Sequence, residues 1–287
     1  MSVKIMTDST SYIDEKIIKD LDIGVLSLYV SFEEDSIREN EIENDQFYNM
    51  MEEKGIPLSS QPTLGELYKA MVNIVSKGDD LLCVFLSSEM SGTYNSAVAV
   101  SKKVMEEYPD RKIYIIDSRT NSMQLGFAAI VAARAAKEGK DIEAIKKIVK
   151  DNIKRSKFLF IPDNLKYLQK GGRIGDASAL IGNILKLIPI LTVKNGSATT
   201  FKTVRTKKRA IKEMLEVVLD DDEKYAIKEI IVHHIDCIDE AEELAQRLKA
   251  ELGKEVSIVD IGPVIGLHVG PGAIGIAYYT REDIIEE

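Results

Sequence analysis

Short apolar runs of strand length alternate with longer segments of helical periodicity, and that alternation is what most restricts the fold of this chain. Residues 3–6, 25–32, 81–86 and 113–116 are runs rich in Val, Ile, Leu, Tyr and Phe. Between them, residues 14–19, 45–54 and 64–76 space their apolar residues as a helix does. So does the segment after Ser91, where Tyr94, Ala97, Val98, Met105 and Tyr108 share one face. A strand followed by a helix before the next strand must cross over, and crossovers bring strands together in parallel. The pattern predicts an N-terminal α/β/α domain with a mostly parallel sheet over residues 1–155. It includes a helix of small residues at 124–136, suited to lying close on a sheet.

The second half has a different rhythm. Residues 158–161, 190–193 and 199–204 are strand-like, and Asn195-Gly196 between the last two is a hairpin signal. A helical stretch at 205–219, a strand at 230–235, a helix at 239–252 and strands at 256–261 and 273–280 follow. A hairpin beside crossovers predicts a C-terminal α/β domain with a mixed sheet over residues 156–287, and 287 residues suffice for two cores.

Several function classes are excluded at this level. A net charge of −9 without any Lys- or Arg-rich block argues against a nucleic-acid partner. Cys83 and Cys237 stand alone in apolar runs, with no metal spacing and no disulfide framework, which fits buried thiols in a reducing cytoplasm. The first residues lack a secretory pattern, and no run reaches the roughly 18 apolar residues of a membrane span. His233 and His234 are adjacent in a strand and point to opposite faces, so they define no shared metal site. The string from Gly270 to Gly275 spells GxGxxG, but it precedes a final strand instead of opening a helix, so it reads as turn glycines and not as a nucleotide loop.

Ligands of open parallel sheets bind beyond the carboxyl ends of the strands. There lie Thr7-Asp8-Ser9-Thr10, the loop from Ser87 to Gly92, and Asp117-Ser118, while Ser59-Ser60-Gln61-Pro62-Thr63 opens another helix. Helix capping accounts for part of these hydroxyls. Hydroxyl donors beside helix N-termini also suit an anion, with phosphate and carboxylate as the two candidates. No GxxxxGK[ST] string occurs and the Ser91 loop lacks Lys and Arg, which favours a small anion held by neutral donors.

Five strings carry a further signal: TDSTS at 7–11, SSQPT at 59–63, LSSEMSGTYNSA at 86–97, LKYLQKGGRI at 165–174 and GPVIGLHVGPGAIGI at 262–276. In this order, over nearly the whole chain, they resemble the DegV family of bacterial fatty-acid-binding proteins. The resemblance implies a carrier without catalytic residues, metal or cofactor. It would hold one long-chain fatty acid, such as palmitate, stearate or oleate, in a tunnel between two domains. It places the carboxylate on Thr63 and Ser91, with His268 in the same polar network. It also implies a partner, the ATP-binding subunit of a fatty acid kinase, which would convert the bound acid to acyl phosphate for phospholipid synthesis. Arg173 of the GGR string, and Arg205, are the positions for phosphotransfer or docking. Transient contact with a membrane surface belongs to the same picture. At about 0.8 kcal/mol per buried methylene, a long tail contributes on the order of 11 kcal/mol, so the tunnel supplies the attraction and the head the orientation. Residues 179–191 are a candidate for one wall of the tunnel, with plain core packing as the alternative.

Two other readings use the same residues. A serine-type hydrolase of a lipid or ester would take Ser91 or Ser88 as nucleophile, His268 as base and Asp8 or Asp117 to orient it. The GxSxG elbow is absent, since Glu89 stands two residues before Ser91. A binder of a small phosphate ligand would draw on Lys170, Arg173 and Arg205.

Overall fold

In a computed structural model, residues 2–33, 35–180 and 187–284 are described, and their apolar runs form thirteen strands. These are β1 (Val3–Asp8), β2 (Ile23–Leu26), β3 (Tyr29–Phe32), β4 (Asp35–Arg38), β5 (Leu58–Ser60), β6 (Asp80–Phe85), β7 (Ile113–Asp117), β8 (Ser156–Ile161), β9 (Ile188–Lys194), β10 (Ser197–Val204), β11 (Ile227–His234), β12 (Ser257–Asp260) and β13 (Ile274–Thr280). The helices are α1 (Glu15–Leu21), α2 (Asn44–Lys54), α3 (Leu64–Val75), α4 (Thr93–Glu107), α5 (Ser122–Lys137), α6 (Ile142–Lys154), α7 (Lys166–Lys170), α8 (Lys207–Tyr225), α9 (Ile238–Leu252) and α10 (Pro263–Val269).

The crossovers produce the expected parallel sheet, ordered β2-β1-β6-β7 with every pairing parallel. β6 is buried along its whole length, as a strand covered on both faces must be. The second half forms a six-stranded sheet, ordered β10-β9-β8-β13-β11-β12, antiparallel except for the β11–β12 pair. Asn195 and Gly196 join β9 to β10 with φ of 52° and 86°, the left-handed pair that a two-residue hairpin turn demands.

α5 explains how the two sheets share one interior. Its sequence, SMQLGFAAIVAARAAK, is apolar on nearly every side and buried from Ser122 to Ile130. A helix of that kind cannot lie on a surface. It packs against β1 on one side and β13 on the other. A continuous apolar cluster therefore runs from Ile5 through Ala128 and Ala129 to Ala277. Two flanking clusters complete the layers, one holding Met214, Leu244 and Ile276 and the other Leu67, Phe85 and Val104.

Three departures from the sequence reading bear on the site. The run at 25–32 is two strands in two sheets. It breaks at Ser27-Leu28, where Leu28 N donates to Ser9 Oγ at 3.0 Å. β3 then pairs antiparallel with β4 and β5, strands of four and three residues, too short to show a period. The glycine-rich stretch after Gly262 is a helix, α10, entered through Pro263, a residue well suited to a first turn. Cys83 is buried, but Cys237 is half-buried beside α9 with its thiol directed at Ala273 O, 3.2 Å away. Among the described residues no helix is long and apolar enough to cross a membrane, and no group of three or more His, Cys, Asp or Glu could hold a metal ion.

Candidate functional site

A cavity of about 300 Å³ lies where the carboxyl ends of the parallel sheet meet the face of the mixed sheet. Its inner wall is apolar and buried, with Phe158, Phe160, Leu168, Ile235, Val264 and Ile274 among the lining residues. Its mouth is polar and partly exposed, formed by Ser59, Ser60, Gln61, Ser91, Gly92 and Arg173.

The mouth is assembled from the hydroxyl-rich loops. Beyond β6, Ser87 Oγ donates to Gly196 O at 2.7 Å, tying the loop to the β9–β10 turn, and Ser91 N donates to Ser87 O at 3.1 Å. Ser91 Oγ lies 2.9 Å from Thr93 Oγ1 and accepts from Thr93 N at 3.3 Å. Gly92 leaves room for its neighbour: a Cβ there would fall 2.4 Å from Gln61 Oε1. Gln61 crosses at this point and donates from Nε2 to Ser96 Oγ at 2.8 Å, so the loop after β5 is latched to α4.

His268 sits in the last turn of α10, 9% exposed, with Nε2 2.9 Å from Ser59 Oγ. Its Nδ1 is buried without a partner among the described residues. That nitrogen faces Gly171, where a Cβ would stand only 2.1 Å away, which accounts for the first glycine of the GGR string. Burial, and after it the charge of Arg173, lowers the His268 pKa to about 4, so the imidazole is neutral at neutral pH. Arg173 donates from Nε to Met90 O at 3.1 Å and from Nη1 to Gly171 O at 2.6 Å. The rest of its five N–H groups have no protein partner among the described residues.

α10 is itself anchored by a residue that sequence reasoning missed. Glu39 is 4% exposed and accepts from Tyr12 OH at 2.8 Å, from Val264 N at 2.9 Å and from Ser9 Oγ. Tyr12 OH accepts from Ile265 N at 3.2 Å. Burial pushes the Glu39 pKa up to about 7 against the opposing effect of these donors. A lone Glu in a charged stretch carries no sequence signal of this role. His233, to which no site was assigned, lines the cavity as a tie between the halves. Its Nδ1 faces Val259 O at 3.1 Å and its Nε2 accepts from Met123 N at 3.1 Å. Burial lowers its pKa to about 3, so it too is neutral.

Of the expected site residues, Ser91, His268 and Arg173 line the cavity, and Thr63 and Arg205 do not. Thr63 is exposed at the N-terminus of α3, where it forms a capping box with Glu66. Its Oγ1 accepts from Glu66 N at 3.2 Å and donates to Glu66 Oε2 at 2.8 Å. The hydroxyl that reaches His268 is Ser59, four residues earlier. β5 turns Ser59 to the face opposite Leu58, an alternation visible in the sequence once a strand is recognised there. Arg205 is exposed after β10. Arg173 reaches the mouth from the other half of the chain, beside these uncharged hydroxyls. Within the proposed wall at 179–191, residues 181–186 lie outside the described residues, and Ile190 and Leu191 pack in the core; β9 and β10 instead contribute Val193 and Ala198 to the cavity. No hydrolytic triad forms: Asp8 accepts from Leu86 N at 2.8 Å, Asp117 accepts from Ser88 Oγ at 2.6 Å, and neither bonds His268.

An apolar wall ending in hydroxyls, a neutral imidazole and a guanidinium defines a site for an amphipathic anion. The family model for an uncharacterised protein, DegV family, matches residues 2–281, and the chain belongs to the DegV family. A DegV domain-containing protein of Clostridium acetobutylicum is 56% identical over 284 residues, covering 99% of this chain and 100% of that protein. The crystal structure of DegV, a fatty acid binding protein from Bacillus subtilis, superposes with a TM-score of 0.88 at 32% identity, over 98% of this chain and 99% of that one. A stearic acid-binding protein from Eubacterium ventriosum superposes with a TM-score of 0.89 at 25% identity, over 97% and 98%.

Proposed function

We propose that the chain binds one long-chain fatty acid between residues 1–155 and 156–287, tail inward, with its carboxylate at the mouth. The observation that carries this reading is the division of a single cavity into a buried apolar wall and a hydroxyl-bearing mouth. The description of the Bacillus subtilis and Eubacterium ventriosum proteins as fatty acid and stearic acid binders supports it. In this arrangement Ser59 takes the place expected of Thr63. With its proton on Nε2, His268 donates to Ser59 Oγ and leaves the Ser59 hydroxyl proton, like that of Ser91, to donate to the carboxylate. Arg173 at the exposed rim adds charge where a phosphoryl group would arrive. Presentation to a separate ATP-dependent kinase then follows: a carboxylate oxygen attacks the γ-phosphorus, the acyl O–P bond forms and ADP leaves.

Paired variants test the head assignment. Ser59→Ala with Ser91→Ala is expected to weaken palmitate binding by about tenfold, the loss of two hydrogen bonds to a charged group at a partly wet mouth. Thr63→Ala is expected to leave binding unchanged while costing about 1 kcal/mol of stability through the lost helix cap. Displacement of a fluorescent fatty acid and urea denaturation read the two effects. Weaker binding in Thr63→Ala with none in the double variant would return the carboxylate to Thr63.

A further inference from the structure

The opposite end of α5 from the acyl cavity carries a second pocket, polar and of about 560 Å³, where α5 and α6 meet β11 and β13. Asn121, just before α5, lines the first cavity, and Arg134, near its other end, lines the second, about 20 Å apart along the helix. The two share no lining residue.

This pocket inverts the charge of the molecule. In a chain of net charge −9, its wall carries Arg134, Lys140, Arg155, Lys228 and Arg281 against Glu138 and Asp151. The two acids are already engaged, Glu138 with Lys140 and Asp151 with Lys147 at 2.5 Å. Arg134 pairs with Glu229, and Arg155 reaches Asp283 through Nε at 2.6 Å, with no carboxylate on its terminal nitrogens among the described residues. Lys228 and Arg281 form no ion pair among the described residues, although Lys228 stands close enough to Glu138 and Glu229 to act on both electrostatically.

An independent observation points to a ligand. Asn152 lines the same pocket, is 5% exposed, and its buried Oδ1 has no hydrogen-bond partner among the described residues. Leaving such a group unpaired in the interior is costly. Amide oxygen and nitrogen are interchangeable by a flip, so either a donor or an acceptor on a ligand would satisfy it.

We propose that this pocket binds a small phosphorylated metabolite. Its phosphate is held by Arg155, Lys228 and Arg281, and a hydroxyl on its carbon skeleton meets Asn152. Phosphate is favoured over carboxylate because cations with free N–H donors converge from three separate elements, and a dianion with three acceptor oxygens can engage all of them.

Calorimetric titration of the full chain at low salt tests this with inorganic phosphate, ribose 5-phosphate and ribose as probes. Both phosphates are expected to bind saturably, ribose 5-phosphate more tightly, and ribose not at all. Lys228→Ala with Arg281→Ala, both exposed, should weaken phosphate binding by about tenfold. Asn152→Ala should abolish the preference for the ester while leaving inorganic phosphate bound. Absence of saturable phosphate binding, or binding indifferent to the double variant, overturns the site. Equal affinity for ester and free phosphate overturns the role of Asn152. Titrations run in parallel on lipid-loaded and lipid-stripped protein keep the outcome separate from the fatty acid reading.

Discussion

The parallel sheet contributes to the cavity only what lies beyond its strand ends, such as Leu86, Met90, Ser91 and Asn121. The mixed sheet contributes its own face, through Phe158, Phe160, Val193, His233 and Gly275. The difference follows from coverage. Parallel strands are buried on both faces by helices, so only their terminal loops are available to a ligand. The mixed sheet turns one face to α8 and α9, and part of the other remains open to the cavity. Loops carry hydroxyls and can be re-aimed one residue at a time; a sheet face supplies area. In the proposed complex, orientation of the ligand and strength of attachment would come from different halves of the chain.

The strongest way to break that comparison is to fill the space beside the mixed sheet. Ala273, 4% exposed on the cavity wall, has room for a larger side chain only at the expense of the ligand. Ala273→Trp is expected to lower fatty acid affinity by about a hundredfold, the equivalent of several methylenes no longer buried. Mass spectrometry of an organic extract, with circular dichroism to establish folding, checks it; unchanged acyl occupancy would mean that this sheet is not the wall. A smaller effect sharpens the role of the loops. Gly171→Ala must displace His268 from its seat 2.1 Å away and is expected to cost about 1–3 kcal/mol, read as a lowered melting temperature.

A further test is a pH dependence. Glu39 in the unfolded chain titrates near 4.5, whereas in the folded protein burial raises it to about 7. Over that interval the folded state binds more protons, so this group's contribution to stability falls as pH rises from about 4.5 through about 7. Glu39→Gln lacks this limb. Its stability relative to the parent protein is therefore expected to increase with pH over the same window, measured by urea denaturation at stepped pH. A difference independent of pH would show that the Glu39 carboxyl does not titrate there.

The legible parts of this protein were those written in local patterns. β6, α5 and the Asn195-Gly196 hairpin could be placed because burial on both faces, small-residue helices and left-handed turns each restrict composition at neighbouring positions. Ser91, His268 and Arg173 were legible as members of strings, but the strings could not say which hydroxyl of SSQPT faces inward. Thr63 looked as suitable as Ser59 until β5 and the α3 cap assigned them opposite directions. Glu39 and Asn152 were invisible, since nothing beside either residue distinguishes a buried carboxyl or amide from a solvated one.

By itself, then, the sequence determined the alternation of strands and helices, the parallel and mixed sheets and the stock of hydroxyls at the strand ends, because each depends on residues a few positions apart. Tertiary structure alone decided that Ser59 meets His268, that Gly171 makes room for it, and that a guanidinium joins the mouth. Those contacts span up to 209 residues of chain, and a side chain's direction in space is set by the packing of whole layers, which no local pattern records.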